Sequence, residues 1–153
     1  VAALRPNPGI VDLLDSADGL GVPCAIASSS PTRWVHPLLD RLGLRHRFRE
    51  VVCREHVRDA KPAPDLYVEA LRRLGLGRAA ASTVALEDSH HGSHAAKQAG
   101  MVCVAVPNPL TSQQDFDHVD HVVGSVAAVR LRRSDSETDA ATLEVAVESS
   151  CPT

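Results

Sequence analysis

Three short polar stretches each follow an apolar run. Ser28-Ser29-Ser30 comes after PCAIA, Glu87-Asp88-Ser89 comes after TVAL, and Lys61 lies in the loop Ala60-Lys61-Pro62-Ala63-Pro64 beyond a third run. A hydroxyl beside free backbone N–H groups at a helix start makes an anion site. The same serines also suit a plain strand-to-helix cap, with Ser30 before Pro31. Of the 16 basic residues two are lysines, Lys61 and Lys97, so a lysine held between Ala60 and Pro62 points to a compact charge placed for a purpose. A solvated loop lysine is the plainer alternative. Adjacent carboxylates at a strand end repel unless a cation or a base joins them. Oxygen ligands alone suit Mg²⁺, which takes one or two carboxylates plus phosphate and water. Against that, Asp88 or Ser89 could simply cap the next helix.

Other titratable clusters carry less. His90 and His94 have i, i+4 spacing, with His91 beside them, but no HExxH frame accompanies them and a zinc site does not follow. His36, His46, His56, His118 and His121 read as surface residues. Asp15-Ser16-Ala17-Asp18-Gly19 has its carboxylates three apart on a helix, which is not the geometry of a nucleophile loop.

The elements that would position these groups alternate in kind. A helix opens at Asn7-Pro8-Gly9, with Asn7 as cap and Pro8 first, and runs to about Asp18. An apolar run covers 24–28. A helix starting at Ser30-Pro31 carries Val35, Leu38, Leu39 and Leu42 on one face and stops at Gly43. A short strand falls at 51–53. Leu66, Ala70, Leu71 and Leu74 line the next helix, closed by Gly75. A strand at 83–86 precedes a helix bearing Ala95, Ala96 and Ala99. Strands follow at 102–106 and 119–123. Strands alternating with helices mean parallel pairing and right-handed crossovers, hence an α/β doubly wound parallel sheet. Such sheets bind ligands outside the carboxyl ends of their strands, where the three polar stretches fall. Residues 1–132 form this core. Residues 133–153 read as a tail, either disordered or an added edge strand: it is first acidic and Ser/Thr-rich, then alternates at Leu143, Val145 and Val147.

The 153 residues suffice for one domain with a sizeable core. A formal charge of −3 and four aromatics (Trp34, Phe48, Tyr67, Phe116) argue against a nucleic-acid groove. No apolar run approaches the ~20 residues of a membrane span. Cys24, Cys53 and Cys103 sit inside apolar runs, and with Cys151 they form no CxxC pair. They read as free thiols in a reducing cytoplasm.

In order and spacing, AIASSSP (25–31), KPAPDLY (61–67), VALEDSHHGSHAAKQAGM (84–101), VAVPNPLTSQQDF (104–116) and HVDHVVGSV (118–126) resemble the haloacid dehalogenase superfamily. The branch is the one with phosphoglucomutase-like enzymes and sugar-phosphate phosphatases. The likeness covers roughly residues 5–131. It implies a Rossmann-like core, hydrolase activity on a small phosphorylated metabolite, an aspartyl-phosphate intermediate and Mg²⁺. By that resemblance Ser28 and Ser29 bind the phosphoryl group through a hydroxyl and a neighbouring N–H. Lys61 bridges phosphoryl and nucleophile, and Asp88 with Glu87 holds Mg²⁺. Positioning and charge neutralisation are most of what phosphoryl transfer asks of a protein.

The family's first motif, an apolar strand ending in Asp-x-Asp-Gly, occurs nowhere in these residues, nor does its helical cap. The chain therefore reads as a carboxyl-terminal part that lacks the nucleophile. The absent strand would lie between those ending at Ser28 and Glu87, leaving two edges to be closed or filled. Ser30 is followed by Pro31, not by the lysine of the mutase, which favours phosphatase over mutase. A silent remnant that binds phosphate, metal or a protein is the alternative. Haloacid dehalogenation is disfavoured by Glu87-Asp88.

Overall fold

The computed structural model describes residues 4–133 and 143–147. The chain runs α1 (Ile10–Leu20), β1 (Ala25–Ala27), α2 (Thr32–Arg41), β2 (Glu50–Val52), α3 (Asp65–Arg73), β3 (Val84–Glu87), α4 (His90–Gln98), β4 (Val102–Ala105), β5 (His121–Val122), β6 (Val129–Arg133) and β7 (Leu143–Val147). The five strands of the expected α/β core are parallel and fall into two ladders, β1-β2 and β3-β4-β5. Strands β6 and β7 pair antiparallel in a ladder of their own. The other residues of the expected tail, 134–142 and 148–153 with Cys151 among them, lie outside the described residues.

Side-chain alternation along each strand shows why helices cover both faces. Ile26 and Val51 pack with Leu14 of α1 and with Val35 and Leu39 of α2. Their neighbours Ala27 and Val52 turn the other way, onto Leu66 and Ala70 of α3. In the second ladder Ala85 and Cys103 meet Tyr67 and Leu71 of α3 and Ala95 and Ala96 of α4. Val84, Leu86 and Val104 join Val123, Val129 and Leu13 of α1 on the opposite side.

The two ladders are thus clamped by helices. On one face α3 gives Leu66 and Ala70 to the first ladder and Tyr67 and Leu71 to the second. On the other, α1 gives Leu14 to the first and Leu13 to the second. Two successive residues at a helical spacing of 100° suffice to reach both.

Two expected helix starts are corrected. Helix α1 begins at Ile10, with Gly9 at φ 88° as its boundary and no side-chain cap, so Asn7 and Pro8 precede it. A Cβ on Gly9 would lie 2.3 Å from the Ala127 nitrogen, and this contact fixes where the chain turns into the helix. At α2 Ser30 does not cap. The Thr32 N–H donates to both carboxylate oxygens of Glu55, at 2.9 and 3.2 Å, a cap supplied from 23 residues away. The 133–153 boundary also falls inside β6, whose Val129 is buried against the core.

Cys53 and Cys103 are fully buried free thiols, and Cys24 is a half-buried one. Burial, followed by the charge of Glu87, pushes the Cys103 thiol up to about 12. Among the described residues no helix is long and apolar enough to cross a membrane.

Leu66 is fully buried where α3 grips the first ladder. Leu66→Ala is expected to cost about 2–5 kcal/mol of unfolding free energy, read by urea denaturation. A cost below about 1 kcal/mol contradicts the clamp.

Candidate functional site

Each predicted residue sits at or just past a strand's carboxyl end or on the loop leading from one. Ser28 follows β1, and its N–H donates to the Val52 carbonyl at 2.9 Å, extending the ladder by one bond. Its Oγ accepts the Ser30 N–H at 3.1 Å, folding the serine run into a tight turn with Ser29 exposed at its tip. This is the side-chain-to-backbone turn that serine favours where a strand must end. No hydrogen bond joins Ser28 to Lys61 or Asp88 among the described residues.

Lys61 reaches from the loop after β2 to the end of β3. Its ammonium donates to Glu87 Oε1, as does the Tyr67 hydroxyl. Side-chain exposure is 15% for Lys61 and 6% for Glu87, so the pair is largely withdrawn from water. Lys61 Nζ also stands 3.5 Å from the Tyr67 hydroxyl oxygen and 4.8 Å from the centre of its ring. A desolvated ammonium is stabilised by a carboxylate and by an aromatic face, and here it has both.

The two adjacent carboxylates part company. Glu87, the last residue of β3, points inward to Lys61 and Tyr67, whereas Asp88 is exposed. Glu87 finds room because residue 92 is glycine. A Cβ there would fall 1.9 Å from Glu87 Oε2. The expectation of Glu87 and Asp88 side by side on one cation meets this geometry: Glu87 is already engaged by two donors.

Asp88 does not cap α4. Ser89 does, its Oγ accepting the Gly92 N–H at 3.1 Å. Asp88 Oδ2 instead accepts the side-chain N–H of Asn108 at 2.9 Å, and among the described residues no hydrogen bond occupies Oδ1. Among the described residues no group of three or more His, Cys, Asp or Glu side chains could hold a metal ion. A cation at Asp88 would therefore draw its other ligands from water, from phosphate and from atoms other than these side chains. That donor set has the hard-oxygen character Mg²⁺ prefers.

Sequence reasoning missed Asn108, whose signal was a polar residue between Pro107 and Pro109 just beyond a strand. It also missed why Gly92 and Tyr67 are needed. The loop bearing Asn108 is pinned to the start of α4. The His90 N–H donates to Gln114 Oε1 at 2.7 Å, and His90 Nδ1 lies 2.7 Å from the Asp115 carbonyl. His118, expected at the surface, is half-buried against Ser93, 2.8 Å from its Oγ. Partial burial, then the nearby His94 and His90, lowers its proton affinity. His90 and His118 thus fasten this loop to α4.

Burial above all, with the charge and hydrogen bond of Glu87, raises the Tyr67 pKa. The protonated phenol is the form the fold favours. The associated stability is fully present below the ordinary value of about 10 and is lost as pH rises beyond it. Tyr67 is the single tyrosine, so the rise in absorbance at 295 nm with pH, over the constant contribution of Trp34, reads its ionisation. The expected result is no phenolate until alkaline unfolding. Ionisation near pH 10 with the circular dichroism intact contradicts the buried bond.

Residues 2–106 match the family described as haloacid dehalogenase-like hydrolase. YhcW of Bacillus subtilis is 39% identical over 127 residues, 83% of this chain and 57% of that protein. Fructose-1-phosphate phosphatase YqaB of Escherichia coli is 38% identical over 104 residues, 68% of this chain and 53% of that one. The crystal structure of CbbY from Rhodobacter sphaeroides in complex with phosphate superposes with a TM-score of 0.76 at 34% identity, covering 80% of this chain and 55% of that one. A second CbbY structure, in complex with xylulose-1,5-bisphosphate, gives 0.78 at 33%, covering 82% and 56%. The chain thus spans little more than half the length of each of these relatives. Sequence and fold agree: this chain belongs to the haloacid dehalogenase-like hydrolase family.

Proposed function

We propose that the chain provides the phosphate-binding and cation-binding part of a Mg²⁺-dependent phosphatase acting on a small phosphorylated metabolite, a sugar phosphate by preference. The observation that carries the reading is the Lys61–Glu87 pair at the end of β3, beside the exposed carboxylate of Asp88. An ammonium whose counter-ion is fixed behind it can present its remaining protons to a phosphoryl oxygen. Ser28, past the end of β1, gives its hydroxyl and Ser29 its backbone N–H to the same anion. Asp88 holds Mg²⁺ through the oxygen Asn108 leaves open, and Glu87 stays behind as the counter-ion of Lys61. Mg²⁺ bound there would neutralise charge on the phosphoryl oxygens. The names of the matching YqaB phosphatase and the ligands of the CbbY crystal structures support the substrate class.

The nucleophilic carboxylate is not among these residues, since no Asp-x-Asp-Gly occurs in them. In this reading it comes from outside them. The same fact favours a second reading, in which the chain binds phosphate and cation without turnover.

Calorimetric titration with inorganic phosphate, with and without Mg²⁺, tests the binding role shared by both. Lys61→Ala is expected to weaken phosphate binding about 10- to 150-fold, the worth of a charge-assisted hydrogen bond. Asp88→Asn is expected to abolish the gain from Mg²⁺. Unchanged affinity in both variants contradicts the site. Phosphate release from fructose 1-phosphate, present with Mg²⁺ and lost with a chelator, separates phosphatase from silent binder.

A further inference from the structure

The Tyr67 hydroxyl has a use that packing alone does not explain. Its ring lies with Leu71, Ala85, Ala95, Ala96, Met101 and Cys103, where a phenylalanine would fill the same space. The hydroxyl adds a polar atom that must be satisfied when buried. It is satisfied on Glu87 Oε1, the same oxygen that accepts from Lys61. Gly92 leaves the carboxylate its seat, since a Cβ there would fall 1.9 Å from Oε2. The ring face meanwhile stands 4.8 Å from the Lys61 ammonium. One side chain therefore touches both members of the pair, at two different places.

From this juxtaposition we infer that Tyr67 is a positioning residue for Lys61. Its hydroxyl takes up part of the charge of Glu87, and its ring sets the direction of the ammonium, so that Lys61 holds its remaining N–H donors toward an incoming phosphate. Without the hydroxyl the whole of Oε1 falls to Lys61, which is drawn further onto Glu87 and away from the anion. This inference rests on the proposed phosphate site.

The chain carries two lysines, so a ¹⁵N-lysine label gives two side-chain signals, with Lys97, bonded to Asp120 at 2.7 Å, as internal reference. Inorganic phosphate with Mg²⁺ is the probe. In Tyr67→Phe the Lys61 signal is expected to move before any phosphate is added, while Lys97 stays put. Phosphate affinity is expected to fall about three- to tenfold, the order of one buried hydrogen bond. Tyr67→Leu, which also removes the ring, is expected to lose more. A melting temperature that drops while the Lys61 signal and phosphate affinity stay those of the wild type overturns the inference and leaves Tyr67 a packing residue. If wild-type Lys61 ignores phosphate, the phosphate site falls, yet the Lys61 signal in phosphate-free Tyr67→Phe still decides the positioning role by moving or not. Should the variants fail to fold, nuclear Overhauser contacts between the Tyr67 ring and the Lys61 methylenes in the wild type take over: present, they support the placement; absent, they overturn it.

Discussion

A lysine ammonium and a glutamate carboxylate, both largely removed from water, hold the candidate site together. Such a pair offsets its desolvation only when its geometry is good and other hydrogen bonds share the load. Tyr67 supplies the additional donor and an aromatic face, and Gly92 the space. Breaking one member would leave the other charge buried alone, a cost of about 3–5 kcal/mol. The pair also joins two distant parts of the chain, since Lys61 belongs to the loop after β2 while Glu87 ends β3. It is a polar link between the two ladders on the same side where α3 links them by apolar contact.

Those ladders explain why α3 and α1 matter beyond their own helical turns. Hydrogen bonding within β1-β2 and within β3-β4-β5 fixes each half. Their mutual placement rests on side chains: Leu66 and Tyr67 on one face, Leu13 and Leu14 on the other. Tyr67 thereby belongs to the clamp through its ring and to the site through its hydroxyl. A chemical group placed by core packing in this way is held more firmly than one on a free loop.

Much of this was legible in the residues. The alternation of apolar runs with helical faces gave the α/β class and the parallel pairing. The change from apolar to polar at Ser28 and at Glu87 marked strand ends, and the rarity of lysine singled out Lys61. What stayed hidden depends on contacts between distant residues. Glu55 capping Thr32 spans 23 positions, and Asn108 bonding Asp88 spans 20. Two neighbouring carboxylates look alike in a sequence. Glu87 closes β3 with its side chain on the face that α3 covers, whereas Asp88 lies just past the strand and faces solvent. Asn7 failed as a cap for a similar reason: the approach of Gly9 to Ala127 set the start of α1.

The central claim is that Ser28, Lys61 and Asp88 serve one bound phosphate. Diffraction from crystals of the chain grown with phosphate and magnesium tests it most directly. The expected result is a phosphate within hydrogen-bond distance of both Ser28 Oγ and Lys61 Nζ, with a cation on Asp88. A phosphate bound elsewhere, with the serine turn and the lysine facing separate stretches of solvent, would contradict it.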